Sequence, residues 1–251
     1  MTYKYFVNHP SKAIPPNPSI AINKLFFFFC LSFSSCLRRS LASRCWRLYS
    51  SASNSLAACC SAMARRFSSS VKEIYLTFDD GPTPEITTYV LNELKKHKAK
   101  ATFFCIGKNV KKYHTIYERI KEEGHSIGNH TYNHLNGLRA NKTSYIEDIQ
   151  KAAKLIKSNL FRPPYGRLKP SQARSITSKG YKIVMWDVLS ADFDTTITPE
   201  KCLKNVLNKT SSGSIVVMHD SHRAKDKIFY ALPKILSYFT KKGYVFKSID
   251  L

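Results

Sequence analysis

At 251 residues with 43% hydrophobic side chains, the chain is long enough for one domain with a substantial core. Its 40 Lys and Arg against 17 Asp and Glu give a formal net charge of +23, which favours anionic polymers over neutral ones as partners. Five of the seven cysteines (Cys30, Cys36, Cys45, Cys59, Cys60) fall in the first 70 residues, which excludes a disulfide framework for the remainder.

Residues 1–70 hold nine Lys and Arg and no acid, whereas residues 71–251 carry a net charge of +14. The acid-free, Ser-rich composition fits a transit peptide, and LFFFFCLSFSSC (25–36) fits the apolar centre of a secretory signal. That stretch is too short to span a bilayer. A third reading starts the natural chain at Met63, just before ARRFSSSVKEIYLTFDDGP. The expected organisation is a targeting-like segment, disordered segment or misplaced start over 1–70 and one catalytic domain over 71–251.

From Glu73 onward, short apolar runs alternate with amphipathic stretches. The first predicted strand, EIYLTF (73–78), leads into a helix over 85–97 opened by Pro84 and Glu85. ATFFCI (101–106) leads into 109–123, and its Cys105 reads as a buried small hydrophobe. HSIGN (125–129) leads into 143–158, and NLF (159–161) into 170–179. YKIVMWDV (181–188) precedes a helix over 199–209 started by Thr198-Pro199, SIVVMH (214–219) precedes 227–242, and YVFKSI (244–249) closes the chain. Gly124, Gly180 and Gly243 each stop a helix just before a strand. The alternation predicts an α/β fold with parallel strands joined by right-handed crossovers, and seven strands suggest barrel-like closure.

In such folds the loops after the C-terminal strand ends converge on one face. That brings Asp79-Asp80, His130, Arg162, Asp187 and His219-Asp220 to one rim. His130 and His134 in GNHTYNH stand four apart, a spacing that lets two imidazoles grip one cation, although it also fits two solvated loop histidines. Asp80 supplies the carboxylate of a His-His-Asp set that leaves room for water and substrate. A cation on Asp80 neutralises it, so Asp79 stays ionised and is free to act as a base from another side of the extended backbone. A helix N-cap before Pro84 explains one aspartate and not two.

TFDDGP, HTYNH, RPPYG, the segment around MWDVLSADF, and VVMHD, in this order, resemble the five motifs of the polysaccharide deacetylase family, the NodB-homology carbohydrate esterases. The resemblance covers residues 73–250 and none of 1–70. It implies a distorted (β/α) barrel of about seven parallel strands with the active site at their C-terminal ends. It implies Asp79 as catalytic base, Asp80, His130 and His134 as metal ligands, Arg162 as the arginine that orients the base, and His219 as general acid. Tyr165 matches the residue whose backbone N–H helps hold the oxyanion; its neighbour Pro164 is placed with it on the substrate side. Trp186 has two readings, as lining of an acetyl pocket and as core packing. The fourth motif usually has an aspartate three residues after the tryptophan, where this chain has Leu189. Asp187 or Asp192 is expected to compensate, with Asp187 ahead because it ends the predicted strand. His222 in HDSHR reads as a solvated loop histidine.

The implied activity is metal-dependent hydrolysis of N-acetyl groups on an N-acetylglucosamine-containing polysaccharide or oligosaccharide, peptidoglycan or chitin-like, with release of acetate. An O-acetyl esterase on xylan or another small-amide hydrolase is the enzymatic alternative, and a carbohydrate-binding relative without catalysis the non-enzymatic one. The donor set suits zinc first, then cobalt, nickel or iron. Lysines scattered as in NELKKHKAK, without a base-reading module, argue against a nucleic-acid partner. A monomer without a transmembrane helix is expected. The resemblance implies an extracytoplasmic or cell-surface location, which residues 1–70 do not decide.

Overall fold

The computed structural model describes residues 72–250, so the expectations for 1–70 lie outside the described residues. In chain order the elements are β1 (Glu73–Asp79), α1 (Ile86–Lys96), β2 (Ala101–Cys105), α2 (Gly107–Lys112), α3 (His114–Glu122), β3 (Ser126–Asn129), α4 (Lys142–Ala153), β4 (Leu160–Phe161), α5 (Pro170–Thr177), β5 (Lys182–Ile183), β6 (Val188–Leu189), α6 (Pro199–Leu207), β7 (Ile215–His219), α7 (Lys225–Lys241) and β8 (Val245–Phe246). Short 3-10 turns sit at Pro164–Gly166 and His222–Ala224. The helix expected over 109–123 is two, α2 and α3, because the backbone turns at Tyr113 (φ −123°, ψ 50°).

All strand pairs are parallel, in the order β5-β4-β3-β2-β1-β7-β6, with β8 against the first two residues of β1. The expected parallel barrel is present, and its strand count is eight because the run 181–188 is not one strand. Its first part is β5, paired with β4, and its last part is β6, paired with β7. These are the two ends of the strand order, yet only residues 184–187 connect them. Five Cα steps span at most about 18 Å. Seven strands laid flat would hold their outer edges about 29 Å apart. The connection therefore requires a curled sheet, and residues 184–187 bridge its open seam.

The helix-covered face of the sheet is apolar at its centre, whereas the inner face also buries Thr77, Thr102 and Arg162. Ile74, Leu76 and Phe78 of β1 and Ala101, Phe103 and Cys105 of β2 are all buried on the helix-covered face. Helix α1 packs Val90, Leu91 and Leu94 against them, and α7 adds Ile228, Ala231, Leu232, Ile235 and Leu236, a spacing of three and four that makes one apolar stripe. Cys105 is a free, fully buried thiol whose pKa burial pushes well above its ordinary range, in keeping with its reading as a small hydrophobe. Thr198 caps α6 by accepting from Lys201 N, as its position before Pro199 predicts. Among the described residues no helix is long and apolar enough to cross a membrane.

Phe103 stacks on Phe78 with ring centroids 5.2 Å apart at the middle of this core. Replacing it by alanine (Phe103→Ala) is expected to cost about 3–5 kcal/mol, read as a lower urea midpoint for loss of circular dichroism.

Candidate active site

The site is built at the C-terminal ends of the strands, starting from Asp79, the last residue of β1. Its carboxylate is buried against Arg162, which follows β4 and is itself fully buried. Arg162 Nη1 donates to Asp79 Oδ1 (2.7 Å) and to Thr77 Oγ1 (2.6 Å). Its Nε donates to Val184 O (3.1 Å) and its Nη2 to Met185 O (3.2 Å). The guanidinium also lies 4.1 Å from the ring centroid of Phe104. Burial lowers the Arg162 pKa and the adjacent Asp79 charge opposes that shift, so the group stays a cation at neutral pH. A buried pair of this kind is costly to break, about 3–5 kcal/mol, because one charge is left uncompensated.

Asp80 follows at φ 82°, a left-handed conformation that turns its carboxylate away from that of Asp79. Its backbone is held by Asn109 Nδ2, which donates to Asp80 O (2.8 Å), while Ile106 N donates to Gly81 O (3.0 Å). His130 donates from Nδ1 to Arg162 O (2.8 Å), which leaves the Nε2 lone pair facing Asp80 Oδ1 at 3.6 Å. His134 Nε2 stands 3.1 Å from the same oxygen. Burial depresses the His130 pKa to about 4 despite the nearby Asp79 and Asp80 charges, so this imidazole is neutral at pH 7.

One ligand atom from each of Asp80, His130 and His134 lies within 4.8 Å of the others. Tetrahedral ligands about 2.1 Å from a zinc ion would be about 3.4 Å apart, so the corner fits a cation with little adjustment. Asp80 Oδ1 is buried and, among the described residues, faces the Nε2 atoms of His130 and His134, the arrangement expected of an oxygen reserved for a metal. The three residues are a possible metal site, and two imidazoles with a single carboxylate suit a divalent ion.

Two residues outside the five motifs, Asp148 and Asn129, prop the histidine loop, and periodicity gave no signal for them. Asp148 of α4 accepts from Tyr132 N (2.9 Å), Asn133 N (2.9 Å) and Asn133 Nδ2 (2.6 Å), and so pins the loop between the two histidines. Asn129 Oδ1 accepts from Thr131 N (2.8 Å) in the same loop. Below the Asp79-Asp80 turn, Asp220 is fully buried and accepts from Thr87 Oγ1 (2.6 Å). Burial pushes the Asp220 pKa up to about 7 although the Thr87 hydrogen bond lowers it. A Cβ on Gly81 would meet Asp220 Oδ2 at 2.0 Å, so only glycine lets the turn close over that carboxyl.

On the far side of the corner, His219 ends β7 and lies in register with Asp79 across the β1–β7 pair. Asp192 accepts from His219 Nδ1 (2.7 Å) and, with its other oxygen, from His219 N (2.7 Å). Burial alone would lower the His219 pKa; the Asp192 charge and hydrogen bond, with Asp80 and Asp79 adding, raise it to about 9. The expectation for Asp187 is thereby corrected. Asp187 precedes β6, where its Oδ2 accepts from Ile215 N (3.0 Å) at the start of β7, the end of the strand opposite His219. Because the predicted strand breaks and restarts at Val188, the carboxylate that reaches the histidine is Asp192, beyond β6.

Pro164 is buried, whereas Tyr165 (φ 60°) is 60% exposed and sets its ring 4.6 Å from that of His134. Trp186 belongs to the seam-bridging segment; it is half-buried, packs on Gly166, and places its ring 5.7 Å from the Arg162 guanidinium. His222 is exposed, as its reading as a loop histidine anticipates.

Comparison with known proteins agrees with this architecture. A family model described as polysaccharide deacetylase matches residues 68–184. The chain is 37% identical over 155 residues to a peptidoglycan-N-acetylglucosamine deacetylase of Bacillus cereus, spanning 59% of this chain but only 56% of that protein. It is 35% identical over 185 residues to a second B. cereus protein of that name, covering 71% of this chain and 87% of the relative. A crystal structure of a peptidoglycan N-acetylglucosamine deacetylase, in complex with 4-naphthalen-1-yl-N-oxidanyl-benzamide, matches with a TM-score of 0.67 at 35% identity, over 72% of this chain and 87% of the other. Motifs, strand order and relatives converge: the chain belongs to the polysaccharide deacetylase family.

Proposed function

We propose that this protein is a metal-dependent N-deacetylase that hydrolyses the acetamide of an N-acetylglucosamine-containing polysaccharide or oligosaccharide and releases acetate. The observation that carries this reading is the placement of Asp79 and His219 in register beside the Asp80, His130 and His134 corner, each held by a buried partner of opposite charge. A purely carbohydrate-binding relative has no need for two such locked proton carriers.

A divalent cation held by Asp80, His130 and His134, zinc first and cobalt, nickel or iron as alternatives, supplies Lewis acidity towards the acetamide carbonyl and acidifies water. Asp79 has Oδ1 committed to Arg162, which leaves Oδ2 to take the proton of the attacking water. The Tyr165 backbone N–H is assigned to the carbonyl oxygen as negative charge develops there. His219 holds Nδ1–H on Asp192, so Nε2–H is the proton delivered to the amide nitrogen as the C–N bond breaks. Acetate and a free amino sugar result. Pro164 and Trp186 flank the Tyr165 turn and shape the side from which the acetamide enters.

Asp79→Asn is expected to lower kcat/KM for chitooligosaccharide by about 10²–10⁴-fold, measured as acetate release per folded protein, since Arg162 then loses its countercharge. A chelator is expected to abolish acetate release, and zinc to restore it; activity that survives complete metal removal would contradict the mechanism. Comparison with O-acetylated xylan separates amide from ester preference.

The His219 imidazolium is present below its pKa of about 9 and lost above it, so the general acid fails on the alkaline side. Asp192→Asn removes the neighbour that raises this pKa. The alkaline limb of the pH profile should move to lower pH, by roughly one unit or more. An unmoved limb would remove Asp192 from this role.

A further inference from the structure

Beside the site lies a cleft of about 430 Å³, lined by Asn136, Arg139, Tyr165, Arg167 and Phe193. Its volume is within the range of about 300–1,000 Å³ usual for ligand clefts. Two of its walls reach the catalytic centre: the Tyr165 ring is 4.6 Å from His134, and the Phe193 ring is 5.2 Å from His219. The remaining lining includes two arginines and no acid.

Both arginines are exposed, and neither side chain enters an ion pair or hydrogen bond among the described residues. Their backbones, however, are fastened together. Gln172 Nε2 donates to Gly137 O (2.9 Å), Gln172 Oε1 accepts from Lys169 N (2.9 Å), and Lys169 Nζ donates to Ala140 O (2.8 Å). A Cβ on the buried Gly137 would come within 2.4 Å of Arg167 O, so the loop carrying Arg139 runs directly against the one carrying Arg167. The cleft is thus lined by two arginines on adjacent loops and by two rings that reach the catalytic corner.

Two arginines that line one cleft without a countercharge among the described residues favour an anion there, and a planar carboxylate accepts paired N–H donors from a guanidinium. We propose that this cleft reads a carboxylate borne by the glycan next to the acetamido sugar under attack, bound by Arg139 and Arg167. The proposal rests on the deacetylase reading and narrows it, because it makes the preferred substrate an anionic glycan and a neutral one the poorer.

The test compares two tetrasaccharides of N-acetylglucosamine type, one neutral and one with a lactyl-ether carboxylate on alternate rings, by kcat/KM for acetate release and by calorimetric affinity. A third arm attaches a short peptide to the lactyl group, moving the carboxylate from the sugar to the peptide. The full chain is expected to prefer a carboxylated substrate about ten- to hundredfold. In Arg139→Gln/Arg167→Gln the ratio should collapse towards one, mainly through KM. A control, Lys241→Gln/Lys247→Gln, removes the same charge from exposed positions near the opposite end of the strands and should retain the ratio. Preference for the lactyl or for the peptide arm identifies the carrier of the carboxylate, and either supports the site. No preference over the neutral substrate, or equal loss in the lysine control, overturns it. Absence of acetate from every substrate overturns the deacetylase reading alone, because the affinity ratio still reports on the arginines.

Discussion

A guanidinium cannot be withdrawn from water without partners, and the burial of Arg162 organises both the barrel and the site around that requirement. Its donors are spread over Asp79, Thr77, Val184 and Met185, so one side chain ties the end of β1 to the segment that closes the seam between β5 and β6. Its backbone carbonyl meanwhile fixes the tautomer of His130. The carbonyls of Val184 and Met185 are engaged by a side chain where a continuous strand would have offered them to a neighbouring strand, which accounts for the break in the run 181–188. Sheet closure, base orientation and ligand orientation therefore share one residue.

The adjacent acids at Asp79 and Asp80 are compatible because their surroundings differ. Asp79 faces a permanent cation; Asp80 turns one oxygen towards two imidazoles. The φ of 82° at Asp80 separates the two carboxylates at a cost of about 1–3 kcal/mol in backbone strain. Thr131, His134, Tyr165 and Ala191 also have positive φ, and all four lie in the loops that form the site. Such conformations persist where surrounding hydrogen bonds over-determine them, which is the work of Asn109, Asn129, Asp148 and Asp220.

Charge is distributed on two scales. The net positive charge of the chain is a diffuse attraction, screened over about 8–10 Å at physiological salt, and it cannot select one sugar over another. Arg139 and Arg167 are different in kind, since two loops packed backbone to backbone hold them beside the catalytic corner. Selectivity on a shared fold resides in such loops, while the strand ends hold the chemistry.

Local residue pattern determined much of this protein. Apolar runs alternating with amphipathic stretches specify parallel strands and their helices, and TFDDGP, HTYNH, RPPYG and VVMHD mark where the strand ends place acids, imidazoles and a guanidinium. These features are legible because each depends on neighbours within a few positions. Tertiary structure alone decided that 181–188 divides between two edges, that Asp192 and not Asp187 reaches His219, that Asp148 braces the histidine loop, and that the loops carrying Arg139 and Arg167 line one cleft. Each of these depends on where the curled sheet brings distant backbone segments, and whether an acid of this segment meets the start of β7, as Asp187 does, or its end, as Asp192 does, is something no local pattern encodes.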